Sequence, residues 1–103
     1  MEYRIEYSDT ALEDVDKLFE RIAYKYLAPQ TAIAYSQGLI DKIKILYTFP
    51  KAFAIIAHPI LLLQYGGFVR SINYKNEVVL YSVYEESKMV WIHRIAPAAT
   101  LIG

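Results

Sequence analysis

Arg70 is the residue of this 103-residue chain whose type and setting could do chemistry. It lies between Phe68 and Ile72 in an alternating apolar stretch, and strict alternation sets all three on one face of a strand. A guanidinium among large apolar neighbours must reach solvent, a carboxylate or a bound anion. Its planar fork suits a phosphate or a partner's carboxylate. The plainer role is a structural salt bridge, or a side chain that snorkels to water. His93 and Arg94 stand in a later strand-like run as weaker candidates for binding an anion or a partner. A single strand histidine is usually structural or exposed, and Arg94 reads with Lys42, Lys44, Lys51 and Lys75 as a solvated charge.

Other chemistries find no footing. Cysteine is absent, which excludes thiol catalysis, disulfides and thiolate zinc sites. The histidines are His58 and His93, and His58 is followed at once by Pro59. No residue cluster has the spacing of a metal site, and no glycine-rich phosphate loop or nucleophile elbow is present. No cofactor is expected. Asp14 and Asp16 read as solvation of a helix face rather than as an acid–base dyad. Eleven basic residues balance eleven acidic ones. A wide nucleic-acid footprint draws its affinity from released counterions and needs a basic surplus, so direct nucleic-acid binding is not expected. Charge is nonetheless segregated: residues 1–39 hold seven acids and four bases, residues 40–103 four acids and seven bases.

These residues must be positioned by a small number of elements. Residues 2–7 alternate, with Tyr3, Ile5 and Tyr7 on one face and Glu2, Arg4 and Glu6 on the other, as in a half-buried strand. Ser8 is placed to cap a helix whose first turns carry Asp9, Glu13, Asp14 and Asp16, acids that suit the positive end of its dipole. Ala11, Leu12, Val15, Leu18, Phe19 and Ile22 recur at helical spacing, predicting a helix over residues 10–26. Pro29 opens a second helix, with Ala32, Tyr35, Ser36, Leu39, Ile43, Leu46 and Tyr47 as its stripe, ending near Phe49 and Pro50. Two helices joined so closely form an antiparallel hairpin on the sheet.

Residues 68–74, 77–84 and 88–95 then read as three successive strands, rich in Val, Ile, Tyr and Trp. Lys75 and Asn76 form one turn, residues 85–87 the other. The stretch 77–84 is apolar on both faces, which predicts a central strand covered on each side. The order is β-α-α-β-β-β and the class α+β, with a helix hairpin packed on a small, mainly antiparallel sheet. A ferredoxin-like order fails because both helices precede the meander. Residues 1–103 are expected to form one domain, and 55 % hydrophobic residues suffice for one core. Residues 60–63 fit a short strand or a buried loop equally. If Ile55, Ile56 and part of 60–63 are exposed, they form an apolar patch for protein contact; burial under the second helix is the alternative. The longest apolar run, 52–63, is broken by His58 and Pro59 and is too short to span a bilayer. The charged opening strand is unlike a signal peptide. The expectation is a cytoplasmic protein with no membrane contact.

The chain resembles the RelE/ParE superfamily of bacterial toxins from toxin–antitoxin systems, which are small β-α-α-β-β-β proteins. The resemblance rests on Tyr3 to Tyr7 running into Ser8 and Ala11, the helix hairpin, and the helix end at Leu46, Phe49 and Pro50. It continues through Gly67, Phe68, Val69 and Arg70, and through Val79, Leu80, Tyr81, Ser82 and Val83. RelE-like members cleave messenger RNA in the ribosome with a cluster of basic and proton-handling side chains. Here Val69 and Ser71 flank Arg70 where that branch has bases, and Val78 replaces an arginine. Ala96, Pro97, Ala98 and Ala99 replace a basic or histidine-containing end, and no C-terminal tyrosine follows.

The ParE-like branch is the better match, since its arginine eleven residues before a tyrosine corresponds to Arg70 and Tyr81. The resemblance therefore implies a plasmid-stabilisation-like toxin with no catalytic residues, which inhibits growth by binding a protein such as DNA gyrase. A cognate antitoxin laid across the hairpin and sheet would neutralise it, and homodimerisation is compatible with it. Arg70, Tyr81, His93 and Arg94 are the candidate binding residues. The competing readings are a divergent ribonuclease rebuilt around Arg70, His93 and Tyr84, and a non-toxic relic kept as a binding module.

Overall fold

The computed structural model describes residues 2–101. The elements run β1 (Arg4–Tyr7), α1 (Asp9–Tyr26), α2 (Pro29–Lys44), a 3-10 turn (Ile45–Tyr47), β2 (Ile55–Ile56), α3 (Pro59–Tyr65), β3 (Val69–Tyr74), β4 (Glu77–Tyr84), β5 (Met89–Pro97) and α4 (Ala98–Leu101). The sheet has five strands in the order β1-β5-β4-β3-β2. β1 runs parallel to β5, and every other pairing is antiparallel. The α+β class and the predicted order are both found, with β2, α3 and α4 as additions.

Local chemistry explains the helix hairpin. Ser8 caps α1 by accepting from the Ala11 amide at 2.9 Å, and its own hydroxyl donates to the His93 carbonyl at 2.9 Å. One side chain thus starts the helix and ties it to the far strand. α1 stops at Leu27, which takes a left-handed φ of 51° and donates its amide to the Ala23 carbonyl. Pro29 begins α2, where its missing N–H costs nothing. Ala32, Tyr35, Leu39 and Ile43 form the buried stripe of α2. Gly38 makes room there for the Tyr74 hydroxyl, which donates to the Tyr35 carbonyl at 3.0 Å and which a Cβ would displace.

The main core lies between hairpin and sheet, where Leu18, Leu39 and Leu46 meet Ile72, Val79, Tyr81 and Ile92. Burying each such side chain contributes about 1.5–3 kcal/mol. A smaller core on the opposite face joins Leu61, Val69 and Leu80, with Tyr65 and Leu101 packed against it. β4 is central and covered from both sides, as its composition requires.

Two segments differ from the sequence reading. Residues 60–63 are neither strand nor loop but part of α3, with Pro59 in its first turn and Gly66 at φ 69° closing it. Leu61 is buried against the second core rather than under α2, while Ile60 and Leu63 are 61 % and 85 % exposed. α2 ends at Lys44, where the chain tightens into the 3-10 turn instead of continuing to Phe49. Among the described residues no helix is long and apolar enough to cross a membrane.

Candidate functional site

β3 and β4 set Arg70 directly opposite Tyr81. Both side chains turn towards the segment that follows the 3-10 turn. Arg70 donates to the Phe53 and Lys51 carbonyls at 2.7 and 3.2 Å, and the Tyr81 hydroxyl donates to the Pro50 carbonyl at 2.6 Å. Burial pushes the Tyr81 phenol up to about 12 against the opposing pull of the nearby guanidinium. Among the described residues Arg70 has no carboxylate partner, so its charge is held in place without being cancelled. The loop is pinned from a third side by Glu85, whose carboxylate meets Lys51, Tyr3 and Lys88. Those donors hold it down to about 2.

His93 and Arg94 sit on the other side of the molecule's logic. The β4–β5 register slips between Leu80 and Tyr81, which pair with Arg94 and Ile92. His93 is therefore the extra residue of a β-bulge, a device that redirects side chains. Its Nε2 lies 2.8 Å from the Ser82 Oγ. That hydroxyl already donates to the Phe68 carbonyl at 2.9 Å, so it accepts here and the imidazole hydrogen belongs on Nε2. A serine facing an N–H has no base to take its proton, so the pair is not a nucleophile and its activator. The ring also stacks on Tyr65, centroids 4.4 Å apart.

Burial lowers the His93 pKa from its ordinary value. The unfolded chain therefore binds the proton more readily, and the contribution of neutral His93 to stability is complete above about 6.5. It is lost as pH falls through that value towards the depressed folded one. We expect the thermal midpoint to drop on acidification in this window, and a His93→Gln variant to drop less. Parallel pH profiles for the two proteins would refute this.

Arg94 is not a free charge. Its Nε and one terminal nitrogen donate to the two oxygens of Asp14 at 2.7 and 3.2 Å, and the Ile95 amide donates to the same carboxylate at 2.9 Å. Asp14 was expected to face solvent but is only 5 % exposed. The signal was available: Asp14 stands three residues after Ala11 and four before Leu18, on the buried stripe itself. Glu77 is a second acid that sequence reasoning missed. It is 2 % exposed, pairs with Arg21 and accepts from the Tyr35 hydroxyl at 2.8 Å. Burial, and then that carboxylate, push Tyr35 up to about 12. Alternation with Val79 and Tyr81 marks Glu77 as inward-facing.

The four predicted site residues thus fall into two groups. Arg70 and Tyr81 lie on the hairpin side of the sheet and hold the 50–53 loop; His93 and Arg94 lie at the bulge. Tyr84, the further member of the ribonuclease reading, is exposed at the end of β4. Among the described residues no group of three or more His, Asp or Glu is placed to hold a metal. A different surface emerges between α1 and α2: an apolar groove of about 270 Å³, lined by Leu12, Val15, Leu18, Leu39, Ile40 and Ile43. Leu12 and Ile40 are half exposed, and the Ser36 hydroxyl that borders the groove is buried with no hydrogen-bond partner among the described residues.

Comparison with known proteins agrees with this architecture. The structure is similar to a chromosomal ParDE toxin–antitoxin system from P. aeruginosa, with a TM-score of 0.71 and 17 % identity over 92 % of this chain and 95 % of that one. It is also similar to the RelBE2 toxin–antitoxin complex from Mycobacterium tuberculosis, with a TM-score of 0.64 and 17 % identity over 94 % and 99 % of the two chains. The archaeal RelE–RelB complex from Pyrococcus horikoshii gives 0.61 and 16 % identity over 94 % and 96 %. At such identities the likeness establishes the fold. No curated protein sequence matches. The family model for the ParE toxin of the type II toxin–antitoxin system parDE matches residues 5–101, from the first strand to the last helix. The chain therefore belongs to the ParE toxin family of type II toxin–antitoxin systems.

Proposed function

We propose that this toxin acts in the cytoplasm by gripping a protein target of the DNA gyrase type, and that a cognate antitoxin silences it by laying an apolar segment across the helix hairpin. The observation that carries this reading is the α1–α2 groove, an open apolar channel bordered by a hydroxyl, that of Ser36, with no partner among the described residues. An amphipathic helix supplies what such a channel lacks, namely side chains at helical spacing and a polar group for Ser36. Cutting RNA would instead require bases and proton donors converging on one phosphate. The imidazole of His93 is committed to Ser82, and Arg94 to Asp14. Arg70, uncancelled and anchored on the loop carbonyls, is the leading residue for target contact.

Induced expression in a bacterial host tests the reading. Growth should arrest with altered plasmid supercoiling and intact messenger RNA. Arg70→Ala should relieve the arrest while remaining folded, and Ile40→Glu should remain toxic but escape the antitoxin, its affinity falling about 100-fold. Cleavage of translated messages within codons would replace this reading with the ribonuclease one. A chain that arrests nothing, wild type included, would leave only a binding relic.

A further inference from the structure

α1 has a basic flank that neither the groove nor the loop uses. Lys17 and Arg21 stand one turn apart on that flank, on the side of the helix away from Leu12 and Val15. Together with Arg94 and Thr100 they line a polar cleft of about 200 Å³ beside the β5–α4 junction. The carboxylates paired with the two arginines are Asp14 and Glu77, both buried. A guanidinium carries five N–H donors. Arg94 directs two of them at Asp14, which fixes its plane, and Arg21 directs one at Glu77, which tethers its head; both keep other donors for a second anion. Arg21 remains 44 % exposed, and Lys17 makes no salt bridge among the described residues. Tyr24, 83 % exposed, shares the adjoining surface with Lys17, Arg21 and one acid, Glu20, so two bases face one carboxylate there.

We propose that this flank is a docking site for an acidic segment of a protein partner, one carboxylate entering the cleft between Lys17, Arg21 and Arg94 while the chain of the partner crosses Tyr24. Charge selects the occupant. The protein is neutral as a whole, with eleven bases against eleven acids, but this cleft sets three bases, Lys17, Arg21 and Arg94, against the single lining carboxylate of Asp14. A phosphate backbone requires a long basic track for counterion release, whereas a single carboxylate requires only a pre-oriented fork. Arginine and tyrosine are also the residue types enriched in protein–protein interfaces. The proposal rests on the reading of this chain as a protein-binding toxin and adds a second contact surface, on the flank of α1 opposite the apolar groove.

The test is a fluorescence-anisotropy titration of the full chain with labelled glutamate, glutamine and thymidylate decamers, at low ionic strength. The glutamate decamer should bind, weaken with added salt, and lose about tenfold in affinity in Lys17→Glu. Lys44→Glu, at the far end of α2, should change binding by about twofold or less. Both lysines are exposed and make no salt bridge among the described residues, so unchanged thermal midpoints will confirm folding. No binding of the glutamate decamer, equal losses in the two variants, or tighter binding of the thymidylate decamer would each overturn the site. Growth arrest without glutamate binding sinks this site alone; glutamate binding by a chain that arrests nothing sinks the toxin reading alone.

Discussion

Asp14→Ala will lower the unfolding free energy by about 3–4 kcal/mol, measured by urea denaturation with an unchanged m-value. The carboxylate receives three N–H groups, two from Arg94 and one from the Ile95 amide. Removing it leaves a backbone amide at a buried position without an acceptor, at about 1–3 kcal/mol. It also leaves a guanidinium that is only 23 % exposed without its counter-charge. Arg94 can recover part of that loss by turning to water or to Tyr65, which is why the full cost of an abandoned buried charge is not expected. Asp14→Asn keeps an acceptor for Ile95 and should cost about half as much. A loss below about 1 kcal/mol in the alanine variant would mean that the bulge does not depend on this bond.

The second large effect is expected at Glu77. Glu77→Ala should cost about 3 kcal/mol, through a different balance of terms. Arg21 is nearly half exposed and rehydrates easily, so the lost ion pair contributes little. The greater part comes from the cavity under α2 and from the Tyr35 hydroxyl, which loses its acceptor in a buried place. The carboxylate also helps hold Tyr35 un-ionised, up to about 12. That contribution is whole below the ordinary tyrosine value near 10 and disappears as pH rises through the folded value. Glu77→Gln should therefore destabilise less at neutral pH, and its loss relative to wild type should shrink in strong alkali. The joint replacement Arg21→Met with Glu77→Met removes both charges at similar volume, and should cost less than Glu77→Ala alone. If the double replacement proves the worse of the two, the pair itself stabilises the fold.

The two acids illustrate where sequence reading stops. Periodicity states which face a residue occupies, and Asp14 and Glu77 both lie at inward positions. Composition argues the opposite, because charged groups are rarely buried unless paired. Their partners, Arg94 and Arg21, lie 80 and 56 residues away in the chain. No local pattern encodes such pairings. Arg70 and Tyr81 carry the same lesson, since their carbonyl partners at Pro50, Lys51 and Phe53 belong to a loop without periodicity.

By itself the amino-acid sequence determined the α+β class, the Ser8 cap, the helix hairpin and the three-strand meander, because these follow from spacings of two to four residues and from local steric preference. It also carried enough motif fragments, in order, to indicate the toxin family. Tertiary structure alone decided that residues 60–63 are helical: Pro59 and Gly66 permit that turn, but the pocket made by Val69 and Leu80 selects it. It likewise decided which charges are cancelled, which imidazole nitrogen holds its proton, and where an open groove remains. Those outcomes depend on groups brought together across the whole chain, in a low-dielectric interior that local sequence cannot report.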